Sequence, residues 1–157
     1  MICYIREVAP GDLDSLASSA EEAYDLFRRN DRSNRVLSLE KAWHGLHYLL
    51  CGKLEPAPGP LGQAVFGGSE IGEDRGYGPA RYFAPSQVAE IAGALQSSGL
   101  ERELHGRFDG EAMTQLGIYP GVWETDDRDW LIEAFHTLRD FYAAASQAKQ
   151  AVVTLIE

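Results

Sequence analysis

The sequence predicts an α+β fold: a single domain with a small mixed or antiparallel sheet that includes both chain ends, covered by about five or six helices. Three observations lead there. The chain opens on an apolar run, Ile2 to Ile5, and closes on another, Ala151 to Ile156, the second rich in β-branched residues. Between them, apolar residues recur at i, i+3, i+4, i+7, the spacing of one helix face. The chain has 157 residues and is 45% hydrophobic, which suits one domain with its own core. No internal repeat or linker divides residues 1–157.

Taken in order, ICYIREV at 2–8 reads as a strand, ended by Pro10 and Gly11. Asp12 is placed to cap a short helix through Ala17. Ser18 and Glu21 match a capping box for a second helix to about Asn30. Residues 31–37 are polar and read as loop. Ser38 then caps a helix over 39–51, with Gly52 as its stop. At 100° per residue, Leu39, Ala42, Trp43, Leu46, Leu49 and Leu50 share its buried stripe.

Residues 52–80, rich in Gly and Pro, read as irregular chain with one helical turn in LGQAVFG at 61–67. ARYFA at 80–84 fits a short strand. Pro85 opens a helix to about Ser97 that buries Val88, Ile91, Ala92 and Leu95. Shorter helices cover 100–107 and 110–116, and IYPGVW at 118–123 is a turn. A long helix at 127–148 buries Trp130, Leu131, Ala134, Phe135, Leu138, Phe141, Tyr142 and Ala145. AVVTLI at 151–156 is a buried strand, expected beside the first.

The formal net charge of −10 argues against nucleic acid, whose binding depends on clustered Lys and Arg, and against an anionic membrane surface. It suits solubility or a basic protein partner. Cys3 and Cys51 lack C-x-x-C spacing and read as reduced thiols. With no signal-peptide pattern and no long apolar run, the expectation is a cytoplasmic protein.

Four side chains, Glu40, His44, His47 and Cys51, follow i, i+4, i+7, i+11 spacing on the 39–51 helix and could in principle share a zinc ion. They lack the H-E-x-x-H spacing, and a flank facing away from the core offers nothing to orient ligands. No metal or other cofactor is expected. His47, beside Trp43 at the stripe's edge, could act as a general base. The plainer alternative is a structural histidine bonded to a loop carbonyl. His44, His105 and His136 read as outward-facing.

The glycine-rich stretch 67–83 lacks the Walker pattern, and Glu70, Glu73 and Asp74 would repel phosphate. It also lacks the order of acidic residues that binds calcium. It reads as a packed structural loop or as a ligand-contacting one. Tyr119 and Trp123 could line a pocket or pin the turn to the core. No G-x-S-x-G elbow is present, and no residue is assigned a catalytic role.

LEKAWHGLHYLLCG at 39–52, AVFGGSEIGEDRGYGPARYF at 64–83 and IYPGVW at 118–123 together resemble the YfbM-like bacterial family of unknown function, along nearly the whole chain. Its most specific pieces are Lys41, Trp43, Leu46 and His47 in K-x-W-x-x-L-H, and the pair Tyr119–Pro120. The resemblance implies one α+β domain of the bacterial cytoplasm and no established activity or cofactor.

Two function classes follow. One is a binding or interaction protein, such as an immunity- or antitoxin-type partner of a basic protein. The other is a small-molecule-binding domain or a hydrolase-like enzyme using His47 beside the glycine-rich loop. In either case the candidate site comprises Trp43, His47, Glu70, Asp74, Tyr77, Arg81, Tyr119 and Trp123.

Overall fold

The structure, a computed structural model, describes residues 1–28, 35–74 and 76–157. Five strands form one sheet: β1 (Cys3–Val8), β2 (Val36–Glu40), β3 (Ser69–Ile71), β4 (Ala80–Phe83) and β5 (Ala151–Ile156). Their order is β2-β1-β5-β4-β3, and every pairing is antiparallel. The chain ends are neighbours, with Cys3 opposite Ile156 and Val8 opposite Ala151. An apolar strand flanked on both sides is sheltered in a way an edge strand is not.

Directly opposed residues share a face of the sheet. Cys3 and Ile5, Val152, Thr154 and Ile156, and Arg81 and Phe83 therefore look one way. Arg6, Val153, Leu155 and Tyr82 look the other way. The described residues form eight α-helices against the five or six expected, because three of the eight are only four to six residues long. Helices α1 (Leu13–Ser18) and α2 (Ala20–Arg28) cover the second face, where Arg6 donates to the carbonyl of Leu26 at 2.7 Å.

The first face carries the larger core. Over it lie α3 (Trp43–Cys51), α4 (Pro60–Gln63), α5 (Pro85–Leu95), α6 (Leu100–Arg107), α7 (Gly110–Gln115) and α8 (Asp127–Gln147). Helix α8 runs against α5, α3, α6 and β2, and buries Leu131, Ile132, Phe135, Leu138, Phe141, Tyr142 and Ala145. Trp130, expected in that stripe, is instead 36% exposed. Among the described residues no helix is long and apolar enough to cross a membrane.

The largest departure from the sequence reading lies at 36–43. The polar segment 31–37 was expected as loop, followed by a helix from 39, but Val36–Glu40 is strand β2 and α3 begins at Trp43. Leu37 and Leu39 alternate with more exposed residues, and two buried leucines two apart fit a strand face as well as a helical stripe. Ser38 does not cap α3; its hydroxyl donates to Glu40 at 2.8 Å, and Glu40, at φ 47°, turns the chain.

Two smaller shifts follow from local hydrogen bonding. Ser18 closes α1 by donating to Ser15, while Ser19 accepts from the Glu22 N–H at 3.3 Å, so the cap lies one residue later than expected. Strand β3 lies inside the 52–80 stretch read as irregular, and the helical turn expected within 61–67 is α4, which opens one residue earlier at Pro60 and ends at Gln63. Helix α5 stops at Leu95, α7 at Gln115 and α8 at Gln147. The expected helix end at Asn30 and the loop residues 31–34 lie outside the described residues.

Candidate functional site

Helix α3 sets the frame of the site. Its stripe buries Trp43, Leu46, Leu49 and Leu50. Gly52, at φ 69°, ends it by donating to the Tyr48 carbonyl at 2.7 Å. Arg107 from α6 donates to the carbonyls of Leu49 and Leu50 at 2.8 and 3.1 Å, satisfying groups that a helix end leaves unbonded. Trp43, at the other end of α3, lies at the end of the sheet where β5 finishes, beside Thr154 and Ile156.

A cavity of about 230 Å³ opens there. Its walls come from Trp43, Phe66, Tyr77 and Pro79, from Arg81 of β4, and from Thr154 and Ile156 of β5. Glu55 and Pro56 also line it. Trp43 and Phe66 meet edge to face with centroids 5.3 Å apart, and Tyr119 stacks behind Trp43 at 6.0 Å. Trp43 is 6% exposed, and its indole N–H has no acceptor among the described residues. Thr154, 2% exposed and opposite Arg81 in the sheet, adds a hydroxyl.

Arg81 is held but not exhausted. It donates to the Gly68 carbonyl at 3.2 Å and to Glu70 at 2.6 Å, using two of five N–H groups. Asp74 accepts from the N–H groups of Gly76 and Gly78 at 2.6 and 2.8 Å, and these bonds hold its carboxyl below the ordinary range. Gly76 and Gly78 have φ of 115° and 89°, a conformation that glycine adopts without strain. Tyr77, between them, is 58% exposed at the rim. The loop is thus shaped by its carboxylate rather than by a phosphate.

The structure brings together Trp43, Tyr77 and Arg81 at the cavity, with Glu70 and Asp74 holding Arg81 and Tyr77 in place and Tyr119 behind Trp43. His47 and Trp123 stand apart. His47 is completely buried, not at the edge of the stripe as expected, and packs behind Phe66 at 4.3 Å between centroids. Trp123 is also buried, donating to the Ile118 carbonyl at 2.9 Å and seated against Gly45 on another side of α3.

The histidine tautomers follow from their partners. His47 Nε2 lies 2.9 Å from the Glu55 carbonyl oxygen, which can only accept, so Nε2 carries the proton. Cys51 Sγ, 3.3 Å from that nitrogen, cannot then pass its proton to it, and the thiol donates to the His47 carbonyl instead. Burial raises the Cys51 pKa, which works against a thiolate nucleophile. His44 was expected to point outward, yet both its nitrogens are engaged. Nε2 donates to the Leu54 carbonyl at 3.1 Å and Nδ1 accepts from the Tyr119 N–H at 3.0 Å. It therefore ties the 53–55 segment to the 119 turn. Burial lowers the pKa of both histidines.

The proposed metal stripe does not form as drawn, because Glu40 belongs to β2 rather than α3. Among the described residues no group of three His, Cys, Asp or Glu side chains is placed to hold a metal ion. His136 is half-exposed and bonds Glu101 at 2.9 Å.

Sequence reasoning missed Glu55, Pro56, Phe66, Thr154 and Ile156. Thr154 was visible as the one hydroxyl in an otherwise apolar strand. Phe66 carried no signal beyond hydrophobicity.

The family model for a domain of unknown function, DUF1877, matches residues 1–155. Among solved structures, the protein of unknown function YfbM from Escherichia coli is similar over 100% of both chains, with a TM-score of 0.80 and 24% identity. At that identity the likeness speaks to the fold. No curated protein matches the chain.

Proposed function

The chain belongs to the DUF1877 family of domains of unknown function, and from that premise we propose that it is a small-molecule-binding domain whose site is the cavity at Trp43. The observation that carries this is the cavity itself, on which the side chains of Trp43, Phe66, Tyr77 and Arg81 converge. The Trp43 indole N–H beside it is buried without an acceptor among the described residues, which costs about 1–3 kcal/mol. The cavity is smaller than drug-sized pockets of roughly 300–1,000 Å³, so the ligand is a small metabolite. Nothing in the tautomer pattern of His47 and Cys51 supports hydrolysis.

A metabolite panel screened by thermal shift tests the reading. At a hundred times its Kd, a true ligand adds about 2.7 kcal/mol, or roughly 5–10 °C in Tm for a chain this long. Tyr77→Ala should weaken binding several-fold while leaving the unliganded Tm within about 1 °C, because an exposed rim residue contributes little to the fold. If no compound at millimolar concentration raises Tm, or if Tyr77→Ala binds every hit unchanged, the reading fails.

A second reading rests on a different feature. Strand β2 ends the sheet order, and a groove of about 340 Å³ runs between it and α8, lined by Val36, Leu37 and Phe141, by the acids Glu133 and Asp140, and by Arg35, His136 and Thr137. We propose that an extended, lysine-rich segment of a basic partner pairs here, adding a strand to the open edge. The chain's net charge of −10 favours such a partner. A peptide of alternating Lys and Val should shift the backbone signals of Val36 and Leu37, and binding should weaken at least tenfold between low and 0.5 M salt. Salt-independent binding, or none, removes this reading.

A further inference from the structure

The same cavity carries information about the class of its ligand, and this inference rests on the reading of that cavity as a binding site. We infer that the ligand is a monocarboxylate with a flat, ring-bearing body.

The charge comes from Arg81. Its side chain is 23% exposed, the only Lys or Arg among the described residues that line the cavity, and opposite Thr154 in the sheet. Among the described residues, the other polar side chains in the lining are the hydroxyls of Thr154 and Tyr77 and the carboxylate of Glu55. A guanidinium can only donate, so a ligand that pairs with Arg81 must bring acceptors. A cation has none to offer it. A carboxylate has two oxygens and takes a guanidinium in a bidentate pair.

The charge also has an upper limit. Arg81 is already paired with Glu70 at 2.6 Å, and Glu55 lines the same cavity. Once Glu70 turns away, Arg81 offers a single positive charge with Glu55 in the same lining, which suits one carboxylate and not a phosphate dianion. Glu70 is 60% exposed on the edge strand β3, so it can swing to water when a ligand carboxylate takes its place on Arg81.

The shape of the body follows from the remaining walls. Trp43, Phe66 and Tyr77 present ring faces and edges, and Pro56, Pro79 and Ile156 complete an apolar lining. Aromatic rings stack or meet edge to face with others of their kind in preference to irregular aliphatic shapes. A volume of about 230 Å³ accepts one ring with a short acidic arm, and excludes a dinucleotide or a peptide strand.

The test compares three probes of nearly equal shape: phenylacetate, phenylacetamide and phenyl phosphate. They are titrated into ¹⁵N-labelled full-length protein while the three indole N–H signals are followed, that of Trp43 being assigned with Trp43→Phe. Phenylacetate should move the Trp43 signal and bind at least tenfold tighter than the amide or the phosphate. Arg81→Gln should remove that preference, so that acid and amide bind with equal affinity. If the amide or the phosphate binds as tightly as the acid, the ligand class is wrong while the cavity reading stands. If none of the three moves the Trp43 signal at millimolar concentration, both fall. The comparison of acid with amide on the wild-type chain decides the matter even if Arg81→Gln does not fold.

Discussion

Gly45→Ala should destabilise the protein by about 2 kcal/mol or more, although the same change in an ordinary helix would stabilise it by roughly 1 kcal/mol. Gly45 lies within α3, and a Cβ built on it falls 2.4 Å and 2.7 Å from two carbons of the Trp123 ring. The ring has no easy retreat. Its N–H donates to Ile118 at 2.9 Å, its backbone N–H donates to Thr114 at 2.9 Å, and it stacks on Trp130 at 6.1 Å. Gly110 presses against its carbonyl oxygen at 2.8 Å from the position a Cβ would take. Overpacking of this kind costs about 1–3 kcal/mol and occasionally more, and here it outweighs helix propensity. In a chain of this length Tm should fall by roughly 4–8 °C. Gly93→Ala is the control: Gly93 lies in α5 with nothing within 4 Å of the added methyl, so Tm should rise. The double variant Gly45→Ala with Trp123→Leu should recover part of the loss, as contacting residues do. Equal stability of Gly45→Ala and wild type would mean that Trp123 does not seat on α3 in this way.

That contact illustrates what was legible in the sequence and what was not. The strands at the two ends were readable because apolar runs such as Ile2–Ile5 and Ala151–Ile156, the second broken only by Thr154, have few homes outside the middle of a sheet. Helix α8 was readable because 21 residues hold one periodicity long enough to stand above chance. Strand β2 was not, because Leu37 and Leu39 satisfy a strand face, while Leu39, Ala42, Trp43 and Leu46 also satisfy a helical stripe. The pairing that decides between them is made by β1, which lies more than thirty residues away in the chain. Strand β3 has three residues, too few for alternation to be seen. That Gly45 is a seat for a tryptophan could not be read from a lone glycine in a helical pattern.

The site was legible to a different depth. Trp43, Tyr77 and Arg81 do meet at one cavity, and the glycine-rich loop does form one of its walls. Trp43 was found at the edge of a helical stripe, and Tyr77 and Arg81 in a glycine-rich stretch whose backbone can approach whatever it contacts closely. The helical wheel misplaced both histidines. It treats the far side of α3 as solvent, whereas the 53–56 segment folds back over it and places the carbonyls of Leu54 and Glu55 against the imidazoles. A loop that covers a helix flank has no periodicity, so its burial of His44 and His47 had no sequence signal.

The role of His47 is decided by removing it. In His47→Ala the imidazole leaves a space behind Phe66, and the Glu55 carbonyl loses its donor. Truncating a buried ring costs about 3–5 kcal/mol at a fully packed site, and an orphaned carbonyl about 1–3 kcal/mol. Glu55 itself is exposed, so water can reach that carbonyl and offset much of its cost, and the expected net loss is roughly 3–5 kcal/mol. The pH dependence adds a second signature. Burial lowers the His47 pKa from its ordinary 6.5, and the groups that face it are Cys51 at 3.3 Å, His44 and Glu55. The bond to the Glu55 carbonyl and the charge of Glu55 act the other way without reversing the shift. Below 6.5 the unfolded chain takes up a proton that the folded chain refuses, so stability is complete above that pH and drains away as pH falls through the lowered folded value. Wild type should therefore lose stability as pH falls below about 6.5, at up to about 1.4 kcal/mol per pH unit for each of His44 and His47. In His47→Ala the slope in that window should fall to what His44 alone provides. Binding at the Trp43 cavity should survive wherever the variant remains folded, because Phe66 stands between the two. A variant with wild-type Tm, an unchanged pH slope and lost binding would place His47 in the site and overturn this assignment.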